Sequence, residues 1–486
     1  MRTYDAHFVL FSMLLALPHG ARADDAALAD FDLPAHIAQG PRISADEAAE
    51  RAARTAPTVE RAEALARAAE AAVSRTRDQL LPRLELSARY THIDGFPDGT
   101  IALDRDPEAV AAARALADRV SDPAARTLWL ESLAQPAAPK LKIPRNQTAF
   151  GARLSWPVSD LFFAIAPAID AARAAARAAD AQASARLARV RLSAREAYYQ
   201  LARARGAQAV AERAVLQARA QSERIEAGVR AGMRPAADLA MAKARVAAAD
   251  QAVVASEAGV DVADAALRTL LDDPDGAPYG IADALFDGAP VETPAPIATL
   301  YARARAQRPE LRALRDQIVG QDASTRATRA SGYPHLAVYA GADYARPNRY
   351  VIPPKDEFQP SWEVGASLTY APNDTLAAAH RSRETRALRE ALEADMRELE
   401  RGLTLELRQA RAALVRAARG IETARAAEVA AEEAYATRLA ELKVGASVTA
   451  DLFAAEADLN RARLDALDAA IEQCVATARL SYAVGN

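Results

Sequence analysis

Apolar and polar residues alternate one by one in four short stretches of the chain. In the first stretch Leu84, Leu86 and Tyr90 are separated by charged or polar residues, and Trp362 begins a similar stretch in the second half. Alternation with a period of two is typical of a β-strand whose two faces meet different surroundings. The pattern therefore predicts four amphipathic strands, at residues 81–90, 148–158, 335–344 and 362–370.

Two far longer stretches have the composition of helices. Residues 167–231 and 373–444 are rich in alanine, arginine, glutamate and leucine, which all favour the helix. At 1.5 Å per residue they predict helices of ~97 Å and ~105 Å. Helices of that length need partners along their sides. A second helix is expected after each of them, ending near residue 271 and residue 484.

The second half of the chain repeats the first. Gly232 and Asp238 recur as Gly445 and Asp451, both at a spacing of 213 residues, where one long helix stops and the next begins. Glycine adopts the left-handed conformation that ends many helices. The sequence therefore predicts two helical hairpins with related tips. The halves are residues 24–271 and 297–486, joined by a linker rich in Pro, Gly and Asp at residues 272–296.

The N-terminus has the features of a secretory signal peptide. Arg2 precedes an apolar run at residues 8–17, and Ala21 and Ala23 fit a small-x-small cleavage pattern. We predict a signal peptide at residues 1–23, an exported mature chain and, because no cysteine follows the apolar run, no lipid anchor. No later stretch approaches the ~18 apolar residues of a membrane helix.

Composition narrows the function. The formal net charge of −4 does not favour binding to nucleic acid. The single cysteine, Cys474, provides neither a disulfide framework nor a thiolate metal site, and the histidines show no ligand spacing. No nucleophile–base pair or glycine-rich phosphate loop is evident. We therefore expect no enzyme, no metal and no cofactor.

The four strands fit a membrane only if several chains combine. Each has about 10 residues, the length that crosses an outer membrane when tilted. Four strands cannot close a barrel, and an open edge in lipid leaves backbone groups unpaired at several kcal/mol each. In such a barrel the apolar faces would contact lipid. These faces carry Leu84, Leu86, Phe150, Leu154, Trp156, Leu336, Val338, Trp362, Leu368 and Tyr370.

The alternation has a second interpretation. A soluble antiparallel sheet with one buried face shows the same pattern. On that interpretation the protein is an exported periplasmic coiled-coil scaffold without a pore. The signal peptide and the ~100 Å helices favour the duct, because helix pairs of that length suit a tube crossing the periplasm.

Taken together, these features resemble the TolC family of outer-membrane efflux proteins. The resemblance rests on the duplicated halves, the order strand–strand–long helix, the motif Arg308-Pro309-Glu310-Leu311 and the paired tips. It implies a mostly α fold with β-strands, in which a homotrimer forms a 12-stranded outer-membrane β-barrel and a periplasmic α-helical barrel. It also implies a periplasmic adaptor protein and an inner-membrane pump of the RND or ABC type as partners. Such a duct would serve tripartite efflux or type I secretion, passing small molecules or proteins passively.

The resemblance also implies roles for the hairpin tips. In the family the hairpin turns meet the adaptor, and the matching residues here are Arg230, Gly232, Met233, Lys443, Gly445 and Ala446. Family members place aspartates at the periplasmic gate. Asp451 matches the first, and Asp238 is its counterpart in the first tip. A second acidic layer would fall near Ala454, where this chain has no acid, and Glu456 is two residues away. The alternative is that both aspartates only stabilise helix N-termini.

The connection between the first two strands departs from the family pattern. It spans residues 91–146, far more than its counterpart in the second half, and Asp106-Pro107 and Asp122-Pro123 predict two short helices within it. In the family this loop would lie outside the cell. It would narrow the exit or serve as a receptor surface, or it is a tolerated solvent-exposed insertion.

Overall fold

The computed structural model describes residues 36–95, 100–101, 106–134, 141–142, 144–283, 285, 294–352 and 354–486. The predicted signal peptide, residues 1–23, lies outside them. The helices are α1 (Ala45–Thr55), α2 (Pro57–Asp78), α3 (Pro107–Ala117), α4 (Pro123–Ala134), α5 (Val158–Asp160), α6 (Ala166–Arg230), α7 (Ala236–Leu271), α8 (Ile297–Gln307), α9 (Pro309–Ala330), α10 (Pro372–Lys443) and α11 (Thr449–Val484). A π-helical turn, Leu161–Ile165, joins α5 to α6. The strands are β1 (Arg42–Ile43), β2 (Arg83–His92), β3 (Thr100–Ile101), β4 (Leu141–Lys142), β5 (Asn146–Trp156), β6 (Gly280–Ile281), β7 (His335–Arg346) and β8 (Gln359–Thr369).

Both predicted helical hairpins are present. α6 has 65 residues and α10 has 72, and each is followed by a helix of 36 residues, α7 and α11 respectively. The predicted ends of the two long helices each differ from the observed ends by one residue. Across the described residues, no helix combines the length and the hydropathy that a membrane-spanning helix requires.

Local capping explains where several shorter helices begin. At the start of α1 the Ser44 hydroxyl accepts a hydrogen bond from the Glu47 N–H at 3.2 Å, and the Glu47 carboxylate accepts one from the Ser44 N–H at 3.0 Å. This reciprocal pair satisfies two donors that a helix N-terminus leaves free. In the insertion, Asp106 and Asp122 accept backbone N–H bonds from the first turns of α3 and α4, as their positions before proline predicted.

The four long strands form one antiparallel sheet in the order β2-β5-β7-β8, with β2 and β8 at its edges. The sequence predicted all four strands, but their ends differ by up to three residues. β8 begins at Gln359, before Pro360, whereas the prediction began at Trp362. Proline lacks the N–H that a central strand needs, and within the single chain β8 is an edge strand, which tolerates it.

The chain divides into two compact units, and both halves of the sequence contribute to each. The first unit comprises Met1–Ala66, Ala178–Leu314 and Asp395–Asn486. The second comprises Arg67–Arg177 and Arg315–Ala394, and it includes the four-stranded sheet. In the first unit, α6, α7 and α11 share a hydrophobic core with β1, which includes Tyr198, Leu201, Leu267, Leu271, Leu467 and Ile471.

Part of the predicted linker is packed into the first unit. Its residues Gly280–Ile281 form β6, which pairs in parallel with β1, and Ile281 is buried in the same core as Ile43. The Tyr279 N–H donates to the buried carboxylate of Asp264 at 3.0 Å. The abundance of Pro, Gly and Asp marks a break in the helices, but it does not reveal that the break contains a paired strand.

Candidate functional site

The two hairpin tips have the same backbone geometry. Gly232 and Gly445 both have φ of 74°. After each glycine, the next N–H bonds back to the helix, from Met233 to the Gly228 carbonyl and from Ala446 to the Glu441 carbonyl, at 2.9 Å in both. A Cβ at either glycine would meet no atom within 4 Å. The positive φ, not crowding, therefore explains glycine at these positions.

The tips present apolar side chains to solvent in this chain. Met233 is 78% exposed and Val444 is 80% exposed. Arg230, Gly232, Gly445 and Ala446, which the sequence predicted to contact an adaptor, are also exposed. The backbone of Lys443 ends α10, and its side chain lies outside the described structure. Five of the six predicted contact residues are therefore exposed at the tips, and the role of all six stays a prediction.

A hydrogen-bonded clamp joins the two hairpins at their tips. The Arg234 guanidinium donates to the Thr449 hydroxyl at 2.9 Å and to the Leu442 carbonyl at 3.1 Å. The Thr449 hydroxyl in turn donates to the Asp238 carboxylate at 2.7 Å, and Arg234 lies 3.7 Å from the same carboxylate. Thr449 is 3% exposed. Charge-assisted hydrogen bonds of this kind are stronger than neutral ones.

The clamp distinguishes the two aspartates that the sequence treated as equivalents. Asp238 is largely buried and committed to Thr449, whereas Asp451 is exposed in the first turn of α11. The repeat explains the difference. At a spacing of 213 residues, Arg234 corresponds to Ser447 and Thr449 corresponds to Ala236, so the second tip lacks the groups that would clamp Asp451. The Asp238 carboxylate is therefore bonded within the clamp, whereas the Asp451 carboxylate is open to solvent in this chain.

Glu456 lies in α11, inside the packed hairpins and not on a surface. It is 2% exposed, and burial raises the pKa of its carboxyl, an effect that nearby Arg245 partly offsets. Two turns further along, Arg463 is also buried and donates to Glu432 at 2.9 Å. A buried Glu456 cannot serve as the second ring of an exposed acidic gate within this chain.

The sheet separates its apolar and polar side chains onto opposite faces. All ten side chains predicted to face lipid are exposed in the single chain. Register places nine of them on one face, since Leu84 pairs with Leu154 and Trp156 pairs with Val338. Tyr370, which the sequence placed in the fourth strand, follows the last residue of β8. An exposed apolar surface of this kind marks a site of contact with lipid or protein.

The opposite face is polar and carries ion pairs. One row across the sheet consists of Glu85, Arg153, Gly341 and Glu363. Arg153 donates to Glu363 at 3.2 Å, and Gly341, which lies between them, has no side chain to block the approach. A Cβ at Gly341 would lie 3.3 Å from Cγ of Glu363. A cavity of about 590 Å³ lies along this face.

Sequence reasoning located the tips and the strands but not the clamp or the buried Glu456. Arg234 and Thr449 lie at positions where the two repeats differ, and that difference was the available signal. Among the described residues, no group of three or more His, Cys, Asp or Glu side chains is placed to hold a metal ion.

Comparison with known proteins gives a family and a fold. A family model described as outer membrane efflux protein matches residues 140–272 and 300–486, well over half of the chain. The chain is similar to the outer-membrane channel OprN (18% identity, TM-score 0.68, covering 91% of this chain and 89% of that one). It is also similar to the CmeC channel of Campylobacter jejuni, with 14% identity and a TM-score of 0.70 over 91% of this chain and 85% of that one. The outer membrane protein VceC of Vibrio cholerae shows 16% identity and a TM-score of 0.68 over 91% of this chain and 96% of that one. At these identities the likeness concerns the fold. No curated protein matches the chain.

Proposed function

Because the chain belongs to the outer membrane efflux protein family, whose members are channels and not enzymes, we propose that three copies of it form a passive duct across the outer membrane. Its mostly helical, two-repeat fold is that of the TolC-like channels. The observation that carries the proposal is the sheet, because it exposes a continuous apolar face on one side and an ion-paired polar face on the other.

The number of strands requires more than one copy of the chain. Each chain supplies four long strands of 10 to 12 residues, long enough to cross the membrane when tilted. Four strands leave two edges, whose free N–H and C=O groups are costly in lipid. The resemblance to the TolC family implies three copies, which supply 12 strands and remove both edges by closing the sheet into a β-barrel. The apolar face then contacts lipid and the polar face lines water.

The tips supply the periplasmic end of the proposed duct. The exposed Met233 and Val444 offer apolar contacts to an adaptor protein, and such exposed apolar groups suit a protein interface. Three copies of the exposed Asp451 would form an acidic ring at the entrance, which attracts cations. An inner-membrane pump of the RND or ABC type would deliver the cargo through the adaptor, and the cargo would be small molecules or proteins.

The first experiment measures the mass of the protein extracted with detergent from outer-membrane fractions, corrected for bound detergent. A mass of three chains supports the closed barrel. A soluble monomer would contradict it and would favour the periplasmic scaffold.

A second experiment tests which face contacts lipid, using the neighbouring positions Leu86 and Ser87 as a matched pair. Leu86→Cys and Ser87→Cys are compared in a Cys474→Ala background. A water-soluble maleimide is expected to label Ser87→Cys and to spare Leu86→Cys, because adjacent strand residues point to opposite faces. Equal labelling of both would contradict the assignment of faces.

A further inference from the structure

The connection between β7 and β8 folds back over the polar face of the sheet. Its first part, residues 347–352, is called the strap here. Asn348 anchors it and is 3% exposed. The Asn348 amide donates to the Gln359 carbonyl at 2.8 Å and to the Ser361 hydroxyl at 3.0 Å, while its oxygen accepts from the Tyr350 N–H at 2.9 Å. The base of the strap is therefore fixed to the start of β8.

Two strap side chains are attached to carboxylates of the polar face. The Tyr350 hydroxyl donates to Glu363 at 2.7 Å. The Arg349 guanidinium donates to the Tyr350 hydroxyl at 2.9 Å and lies 3.3 Å from Asp343 and 3.6 Å from Glu363. Glu363 also accepts from Arg153 at 3.2 Å. It is thus the residue to which the strap and the sheet are both bonded.

Each of these bonds is of a strong type, but its net contribution to holding the strap on the sheet is moderate. They involve charged groups, which shortens and strengthens hydrogen bonds. The Arg349 side chain is nevertheless 60% exposed and that of Glu363 is 30% exposed, so water competes for both. The contacts that attach the strap to the sheet are therefore individually modest in net strength.

We propose that the strap sets the width of the outlet of the duct, with Glu363 as its latch and Arg349 and Tyr350 as the residues that solutes meet. The inference rests on the proposed function, because it takes the polar face as the wall of the passage. The strap joins the strand ends opposite those that lead to α9 and α10, so it lies at the outlet end. In a trimer three straps would narrow one opening, and each would add one arginine and one tyrosine to it.

The cavity under the strap provides the means of testing it. Ser87 lines the same cavity as Arg349 and Glu363, so a cysteine at this position reports which reagents reach the polar face. The measurement is the ratio of labelling rates of Ser87→Cys with a bulky and a small water-soluble maleimide, applied to intact cells in the Cys474→Ala background. The ratio cancels changes in the reactivity of the thiol itself.

Glu363→Gln is expected to raise this ratio several-fold, because it weakens the bond from the Tyr350 hydroxyl and removes one of the two carboxylate charges beside Arg349, leaving only Asp343. Glu85→Gln is the matched control, since Glu85 lies in the same row of the sheet and loses the same charge, while its described ion pair is with Arg83 of the same strand. A double variant, Arg349→Ala with Tyr350→Ala, is expected to raise the ratio in the same way while leaving the strand intact.

If the ratio of labelling rates is unchanged in both Glu363→Gln and the double variant, the strap does not set the width of the outlet. Equal increases in Glu363→Gln and Glu85→Gln would also overturn this role, because charge alone would then explain the effect. If the small maleimide fails to label Ser87→Cys in the membrane-embedded protein, the polar face is not the wall of the passage. That outcome refutes the proposed function itself, whereas an unchanged ratio refutes only the role of the strap.

Discussion

Thr449→Val is the sharpest test of the clamp between the hairpin tips. Valine has nearly the shape of threonine and is also β-branched, so the packing of this buried position is preserved. The substitution removes the hydroxyl that accepts from Arg234 and donates to Asp238. Arg234 keeps its bond to the Leu442 carbonyl and its position 3.7 Å from Asp238. Only the link through residue 449 is lost.

The expected cost follows from the charges of the partners. A hydrogen bond to a charged group contributes roughly 1.5–3 kcal/mol. Two such bonds are lost, but Arg234 and Asp238 are about one-fifth exposed, so water and their mutual approach recover part of the loss. We therefore expect a net cost of about 1.5–3 kcal/mol for local opening, which corresponds to a roughly 10- to 100-fold rise in the open population.

Amide hydrogen exchange in the intact, detergent-extracted protein measures this opening directly. Exchange at residues 453–456 of α11 is expected to accelerate by that factor in Thr449→Val. Ser447→Ala is the control, because the Ser447 hydroxyl is buried at the same tip and has no partner among the described residues. If the two variants exchange at the same rate, the clamp does not hold the hairpins together.

Two other carboxylates allow equally direct tests. Asp451→Asn is expected to weaken block of the conductance by multivalent cations, whereas Asp238→Asn, whose position is enclosed by the clamp, is expected to leave that block unchanged; equal effects would contradict the assignment. Glu456 has a raised pKa in the folded protein, so its charge destabilises the hairpins at neutral pH, and this cost disappears as the pH falls through the folded pKa towards the ordinary range of glutamate. Glu456→Gln is therefore expected to raise the thermal midpoint at pH 8 and to flatten its dependence on pH, while Asp458→Asn, at an exposed position on the same helix, should do neither.

The sequence predicted most of the fold because its patterns are periodic and long. Alternation located all four strands, and composition located the two long helices to within one residue at each end. The prediction missed features that depend on tertiary contacts, namely the start of β8 and the short strand β6. β8 begins three residues before the predicted strand and includes Pro360, which an edge strand of the single chain tolerates. The paired strand β6 was hidden because two residues carry no periodicity.

The candidate site was less predictable than the fold. The repeat located both tips and the family resemblance implied their contact residues, but the clamp depends on which helix faces which. Arg234 and Thr449 are 215 residues apart in sequence, and nothing in either repeat alone pairs them. Asp238 and Asp451 are the same residue type at equivalent positions of the repeat, and only their neighbours differ. The burial of Glu456 likewise follows from the packing of α11 against other helices, and the sequence does not reveal that packing.

The order of the strands also decides how identical copies can meet. Because β2, β5, β7 and β8 are antiparallel in succession, the two edge strands of the sheet run in opposite directions. When the β8 edge of one copy meets the β2 edge of the next, the new pair is antiparallel like every other pair. The contact is heterologous, so it is repeated around a rotation axis and ends only when the ring closes. An odd number of strands per chain would instead have forced a parallel seam at every junction between copies.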